Sequence, residues 1–105
     1  MKKQNFPLIS VLIANYNNAE YIFEAIESVI EQSYQNWEII FIDDGSDDHS
    51  LQVINQYKDN PKVKVFENKK NIGCGYTKAR CVKEANGIYC GFLDPDDTLE
   101  KESIT

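Results

Sequence analysis

Short apolar segments alternate along the chain with segments whose apolar residues recur at helical spacing. Leu8–Ala14 and Trp37–Ile42 are nearly continuous apolar runs rich in β-branched residues, which is typical of strands buried on both faces. Val63–Phe66 and Ile88–Leu93 are shorter segments of the same kind. We therefore predict four strands.

The segment between the first two strands has the clearest helical pattern. Its apolar residues follow the spacing i, i+3, i+4, i+7 and i+8, and glutamates occupy the opposite face. The apolar set is Ile22, Ala25, Ile26, Val29 and Ile30. Asn17 and Asn18 precede it and are predicted to cap this helix, because asparagine accepts hydrogen bonds from free helix amides.

Two further helices are predicted from their start and stop signals. Ser46 or Asp47 is expected to cap the second, which ends before Pro61 because proline disfavours helix in the preceding residue. The third follows the turn Asn71–Gly75 and ends near Ala85. The resulting order β-α-β-α-β-α-β predicts one α/β domain over residues 1–105, with a parallel, Rossmann-like sheet sandwiched by helices.

Polar residues cluster where the predicted strands end. Asn15–Asn17 follows the first strand, Asp43–Ser46 the second, and Asp94–Asp97 the fourth. Ligands of open α/β sheets bind at these carboxyl ends. Crowded carboxylates repel one another, and Mg²⁺ or Mn²⁺ shared with substrate phosphates relieves that repulsion. The pattern indicates a metal–diphosphate site, with the Tyr16 ring against a nucleobase and Asp44 accepting from a base N–H.

Each of these residues also has an ordinary structural explanation. Tyr16 could cover the edge of the core, Asp44 and Asp47 could be turn and capping residues, and Asp94–Asp97 could begin a helix. His49 is interpreted as a surface residue in the first turn of a helix. The joint placement of the polar clusters at strand ends favours the binding site.

Charge and cysteine content exclude several classes of function. The net charge of −6 argues against a nucleic-acid partner. The three cysteines lack CxxC spacing, which fits a reduced, cytoplasmic chain without a zinc site. No apolar run approaches the roughly 20 residues of a membrane span.

Two other α/β classes fit poorly. The dinucleotide-binding pattern GxGxxG is not met, because Gly73 and Gly75 match its first two glycines but Lys78 stands in place of the third. The segment also follows the third strand rather than the first. A phospho-acceptor receiver module, kept as the alternative, would need an acidic pair after the first strand. A non-catalytic nucleotide-binding or scaffolding module also stays open.

With these segments in view, the chain resembles the inverting family 2 glycosyltransferases of GT-A fold. The resemblance runs from about Leu8 to Leu99. It rests on the first strand with Asn15-Tyr16-Asn17, the segment Tyr21–Tyr34, the segment Glu38–Asp48, Asn71-Ile72-Gly73, Ala79-Arg80, and Gly87–Asp97 with its DxD motif. It implies a transferase that uses a nucleotide-sugar donor, most simply a UDP-sugar, with Mn²⁺ or Mg²⁺.

The resemblance also implies roles for single residues. Tyr16 would lie against the base with Ala14 nearby, Asp44 would bind the base or ribose, and Arg80 would lie near the nucleotide. The metal ligands would come from the DxD motif: Asp96 first, Asp94 for metal or ribose, and Asp97 assisting. Cys81 departs from the asparagine usual after Ala-Arg, which affects the detail around Arg80.

In this family the catalytic base and the acceptor site follow the DxD motif in sequence. The resemblance therefore implies that residues 1–105 form the donor-binding N-terminal half of the fold and have no transferase activity alone. It implies a glycan or lipid-linked acceptor, a role in bacterial polysaccharide synthesis, and a cytoplasmic location that includes peripheral attachment to the inner face of the membrane. Exposure of a core face meant for the second half would favour homo-oligomers.

Overall fold

The computed structural model describes residues 6–96. Within this range, strands and helices alternate in the predicted order. The strands are β1 (Ile9–Asn15), β2 (Trp37–Asp44), β3 (Val63–Asn68) and β4 (Tyr89–Phe92). The helices are α1 (Ala19–Ile30), α2 (Ser50–Ile54) and α3 (Cys74–Glu84), with a 3-10 turn (Asn55–Tyr57) after α2.

The four strands form one parallel sheet in the order β3-β2-β1-β4. The chain moves outward from β1 to β3 and then crosses back through α3 to place β4 on the other side of β1. Strand order therefore reverses at β1, where open α/β sheets bind their ligands. The predicted parallel α/β sheet is confirmed.

Alternating side chains of the central strands build a core on each face of the sheet. On one face, Val11, Ile13, Ile39 and Phe41 pack with the apolar stripe of α1 and with Ile54 of α2. On the opposite face, Leu12, Ile40 and Ile42 pack against Cys81 of α3. This two-sided burial explains why β1 and β2 have almost continuous apolar sequences.

The fourth strand differs from the central pair in its exposure. All four of its residues are exposed, including Tyr89 and Phe92, which are 61% and 49% accessible. It pairs only with β1, so its outer edge has no strand partner among the described residues. Within residues 6–96, no helix is long and apolar enough to cross a membrane.

Helix capping corrects two predictions. Asn18 occupies the N-cap position of α1, but its side chain makes no capping hydrogen bond, and Asp48 Oδ2 instead accepts from Ala19 N at 3.0 Å. The second helix begins at Ser50 rather than after Ser46 or Asp47. Asp48 Oδ1 accepts from Ser50 N at 2.9 Å. The cap of α1 comes from a loop that is distant in sequence, so local sequence patterns could not predict it.

A buried carboxylate joins the amino-terminal ends of the strands. Glu38 in β2 is 2% exposed. Its oxygens accept from Ser10 Oγ in β1 at 2.6 Å, from Lys64 Nζ in β3 at 2.8 Å, and from Asn86 N before β4 at 2.6 Å. Burial alone would raise the pKa of Glu38, but these donors outweigh it and lower the pKa from 4.5 to about 2.

The turn that leads into β4 packs closely on the same cluster. Gly87 N donates to Ser10 Oγ at 2.8 Å. A Cβ atom at Gly87 would lie 2.6 Å from Ser10 Oγ and 2.7 Å from Leu8 O. Only glycine therefore fits at this contact without displacing β1.

We expect Glu38→Gln to lower the free energy of unfolding near neutral pH by about 3 kcal/mol, since the shift in pKa corresponds to that order of energy. Because the folded pKa lies below the unfolded one, this stabilisation is complete above about pH 4.5 and is lost as the pH falls towards 2. Urea unfolding between pH 2 and 7 measures it. Glu24→Gln on the exposed face of α1 is the control, and equal pH profiles for Glu38→Gln and wild type would contradict the assignment.

Gly87→Ala should destabilise the fold by about 1–3 kcal/mol, because the added methyl group must displace backbone and a hydrogen-bonded hydroxyl. Gly91→Ala in β4 is the matched control, since a Cβ there meets no atom within 4 Å. Thermal or denaturant unfolding of both variants separates overpacking from a general effect of removing glycine. Equal stability of the two variants would refute the close contact.

Candidate functional site

A cavity of about 380 Å³ opens at the carboxyl ends of the strands. Four segments form its wall: the end of β1 with the loop that follows it, the end of β2, the loop after β3 with the first turn of α3, and the loop after β4. Among the residues that line it are Ala14, Tyr16, Asp44, Asn71, Asp94 and Asp96. The structure thus brings together the polar clusters that the sequence placed at separate strand ends.

Asp44 lies at the end of β2 and is 3% exposed. Its Oδ1 accepts from Asn68 Nδ2 at 2.9 Å and from Ile72 N at 2.9 Å. Its Oδ2 accepts from Asn71 Nδ2 at 3.2 Å and from Gly73 N at 3.0 Å. Burial opposes ionisation, but the hydrogen bonds from Ile72, Asn68 and Gly73, with one from Thr77, hold the pKa of Asp44 below its ordinary value.

Asp43 points to the opposite face of the sheet and belongs to a separate network. It accepts from Asn15 Nδ2 at 2.9 Å, from Ser46 N at 2.9 Å and from Ser46 Oγ at 2.6 Å. The bond to Asp43 fixes the orientation of the Asn15 amide. Asn15 Oδ1 is buried and has no hydrogen-bond partner among the described residues.

Two loops beside the cavity hold each other in place. Asn17 adopts a left-handed backbone conformation with φ of 55°. Its N donates to Ser46 Oγ at 2.9 Å, and its Oδ1 accepts from Asp47 N at 2.8 Å. Asp48 returns the contact by capping α1 at Ala19. This reciprocal bonding sets the position of Tyr16, which begins the same loop and is 42% exposed at the cavity.

Asp94 and Asp96 both line the cavity and are exposed to solvent. Two carboxylates beside an open cavity suit Mg²⁺ or Mn²⁺, which proteins commonly hold with one or two carboxylates and substrate phosphates. Within residues 6–96, no three metal-ligating side chains come together. Asp97, the third predicted ligand, lies outside the described residues.

Arg80 is not among the residues that line the cavity. Its Nη1 donates to Asn68 Oδ1 at 2.9 Å and to Glu67 O at 3.2 Å, and its guanidinium lies 5.3 Å from the centre of the Phe66 ring. The structure therefore places Arg80 behind Asp44, with Asn68 between them, and its position near the nucleotide stays a prediction.

Several cavity residues had no role assigned from the sequence, among them Asn71, Gly73, Cys74 and Thr77. The turn around Gly73 was recognised, yet its approach to Asp44 depends on a contact between loops. A Cβ at Gly45 would lie 2.5 Å from Asn71 N, so the two loops are in direct backbone contact. The signal available in the sequence was the glycine in each turn, because Gly45 and Gly73 adopt positive φ angles of 70° and 106° that glycine tolerates best.

Known proteins are similar to this chain in sequence and in architecture. The family model for glycosyl transferase family 2 matches residues 10–105. Chondroitin synthase from Escherichia coli is 36% identical over 99 residues, which is 93% of this chain and 14% of that protein. Hyaluronan synthase from Pasteurella multocida is 38% identical over 99 residues, which is 93% of this chain and 10% of that protein.

The crystal structure of S. aureus TarS in complex with UDP-GlcNAc superposes with a TM-score of 0.85 at 31% identity. The match covers 91% of this chain and 28% of the TarS chain. For the first curated relatives, this chain spans 39% and 40% of their length. The receiver and dinucleotide-binding alternatives do not fit these matches. The resemblance seen in the sequence is confirmed, and the chain belongs to glycosyl transferase family 2, with an α/β fold that matches GT-A glycosyltransferase structures.

Proposed function

We propose that this chain carries the donor site of a transferase that moves a sugar from a nucleoside diphosphate, with a UDP-sugar as donor, to a growing glycan. The observation that carries the proposal is the single cavity that joins Tyr16, on one side, to Asp94 and Asp96, on the other. An aromatic ring and a pair of carboxylates at one cavity match the two ends of a nucleoside diphosphate bound with a metal ion.

The described residues divide the work of binding. The Tyr16 ring offers a flat surface on which the base can stack, with Ala14 as a small neighbour that leaves room for it. Asp96, with Asp94, would hold Mg²⁺ or Mn²⁺, and Asp94 would also contact the ribose. When bound, the ion would neutralise charge that develops on the departing diphosphate. Asp97 is kept as a third candidate ligand.

Relatives support the choice of donor and of biological role. TarS was solved with UDP-GlcNAc, and two of the bacterial relatives are synthases of the polysaccharides chondroitin and hyaluronan. We propose a UDP-sugar and a polysaccharide or lipid-linked acceptor on this basis. The three cysteines are free, which suits a reducing compartment such as the cytoplasm.

Calorimetric titration of UDP with and without Mn²⁺ tests the donor site. We expect Mn²⁺ to tighten UDP binding at least about tenfold in the wild-type chain, a gain of about 1.4 kcal/mol. Asp96→Asn should abolish that gain because it removes the charge that attracts the ion. Asp59→Asn, an exposed aspartate after the 3-10 turn, should behave as wild type. Metal dependence that persists in Asp96→Asn would exclude Asp96 as a ligand.

Tyr16→Ala should weaken UDP binding about tenfold, since stacking of a base on an aromatic ring contributes about 1–3 kcal/mol. Tyr16→Phe should keep wild-type affinity because it retains the ring. Tyr21→Ala is the matched control, because Tyr21 is similarly exposed but lies on α1 away from the cavity wall. Equal affinities for Tyr16→Ala and Tyr21→Ala would show that the base binds elsewhere.

A further inference from the structure

The hydroxyl of Ser46 bonds to the residues on both sides of Tyr16. A serine hydroxyl has one donor and two acceptor positions. Its Oγ donates to Asp43 Oδ1 at 2.6 Å and accepts from Asn17 N at 2.9 Å and from Asn15 Nδ2 at 3.4 Å. All three positions are therefore occupied, and two of them hold the residues that precede and follow the aromatic ring at the cavity.

We infer that Ser46 is a positioning residue for the nucleobase, which acts by holding the backbone of Tyr16 so that its ring lies at the cavity. The inference deepens the proposed function and rests on its assignment of Tyr16 to base stacking. Ser46 is half-buried and is not among the residues that line the cavity, whereas Tyr16 is. The effect of Ser46 on binding is therefore expected to pass through Tyr16.

The ring of Tyr16 depends on its backbone for its position. Among residues 6–96, no donor or acceptor bonds to its hydroxyl and no other aromatic ring packs against it. The whole residue is 42% exposed. A side chain without such contacts moves with its main chain, so the bonds on either side of Tyr16 decide where a base can stack.

Asn17 adds a second constraint to the same loop. Its φ of 55° is a left-handed conformation in which asparagine is enriched. Its Oδ1 accepts from Asp47 N at 2.8 Å and from Asp48 N at 3.3 Å, which ties the side chain to the loop after β2. Within the described chain, its main-chain N–H bonds only to Ser46 Oγ. Loss of that hydroxyl would free the main chain directly after Tyr16.

Ser46 is itself anchored to the sheet. Ser46 N donates to Asp43 Oδ2 at 2.9 Å, beside the bond from the hydroxyl to Oδ1. Asp43 is 1% exposed and lies in β2, where it pairs with Asn15 of β1. A continuous set of contacts thus runs from the paired strands through Ser46 to the loop that carries Tyr16. A ring that is held in place before the ligand arrives loses less conformational entropy on binding.

A double-mutant cycle with Tyr16 separates positioning from a general effect on the site. In calorimetric titrations of UDP with Mn²⁺, we expect Ser46→Ala to raise the dissociation constant about fivefold, because the ring no longer stays where a base stacks on it. In the Tyr16→Ala background, the same substitution should change the constant by less than about twofold, since no ring remains to be positioned. An equal factor in the two backgrounds, or no effect in either, overturns the inference.

Ser50→Ala is the matched control. The Ser50 hydroxyl also donates to a carboxylate of the loop after β2, that of Asp48, but it bonds to neither neighbour of Tyr16. UDP affinity of Ser50→Ala should therefore stay within about twofold of wild type, and a loss as large as that in Ser46→Ala would overturn the inference. Urea unfolding of Ser46→Ala in both backgrounds should show the same loss of stability, which excludes a folding difference as the cause of different affinities.

Amide hydrogen exchange tests the contact without any nucleotide. Exchange at Asn17 N should be at least about tenfold faster in Ser46→Ala than in wild type and in Ser50→Ala, because the amide loses its acceptor and local opening sets the rate. Unchanged protection at Asn17 N overturns the inference. A wild-type chain that binds no UDP, with this faster exchange in Ser46→Ala, would reject the proposed function and retain the hold of Ser46 on the loop that carries Tyr16.

Discussion

Every residue of β2 is buried, and its eight residues include three carboxylates, Glu38, Asp43 and Asp44. A buried charge is costly unless donors surround it. The donors come from β1, β3, the turn before β4, and the loops that follow β2 and β3. The hydrogen bonds that satisfy the buried carboxylates of β2 therefore hold β1, β3, the turn before β4 and the two loops in position. The rest of the architecture depends on that requirement.

The buried carboxylates at the two ends of β2 have different roles. At the amino end, Glu38 is enclosed by protein donors, and its network contributes stability alone. At the carboxyl end, the Asp43 and Asp44 networks border an open cavity, so the bonds that satisfy buried charge also hold the walls of a binding site. Groups in such a site are preorganised before ligand arrives, which lowers the cost of ordering them on binding.

Patterns that act within one segment were predictable from the sequence. The apolar runs of β1 and β2 and the stripe on α1 identify buried strands and an amphipathic helix, and parallel strand ends must meet, which placed Tyr16 near Asp94 and Asp96. Relationships between segments were not predictable. β2 continues through Asp44 because its backbone pairs with β3 as far as Asn68, which outweighs the polar side chains. The position of Arg80 likewise depends on its contact with Asn68.

The interlocked loops after β1 and β2 have a consequence for exchanging parts between family members. Asn17 supplies the acceptor for the second loop, while Ser46 and Asp48 supply acceptors for the first. A graft that transplants either loop alone would leave unmatched amides at the other. The two loops therefore form one structural unit, and a chimaera of family members would have to carry both together.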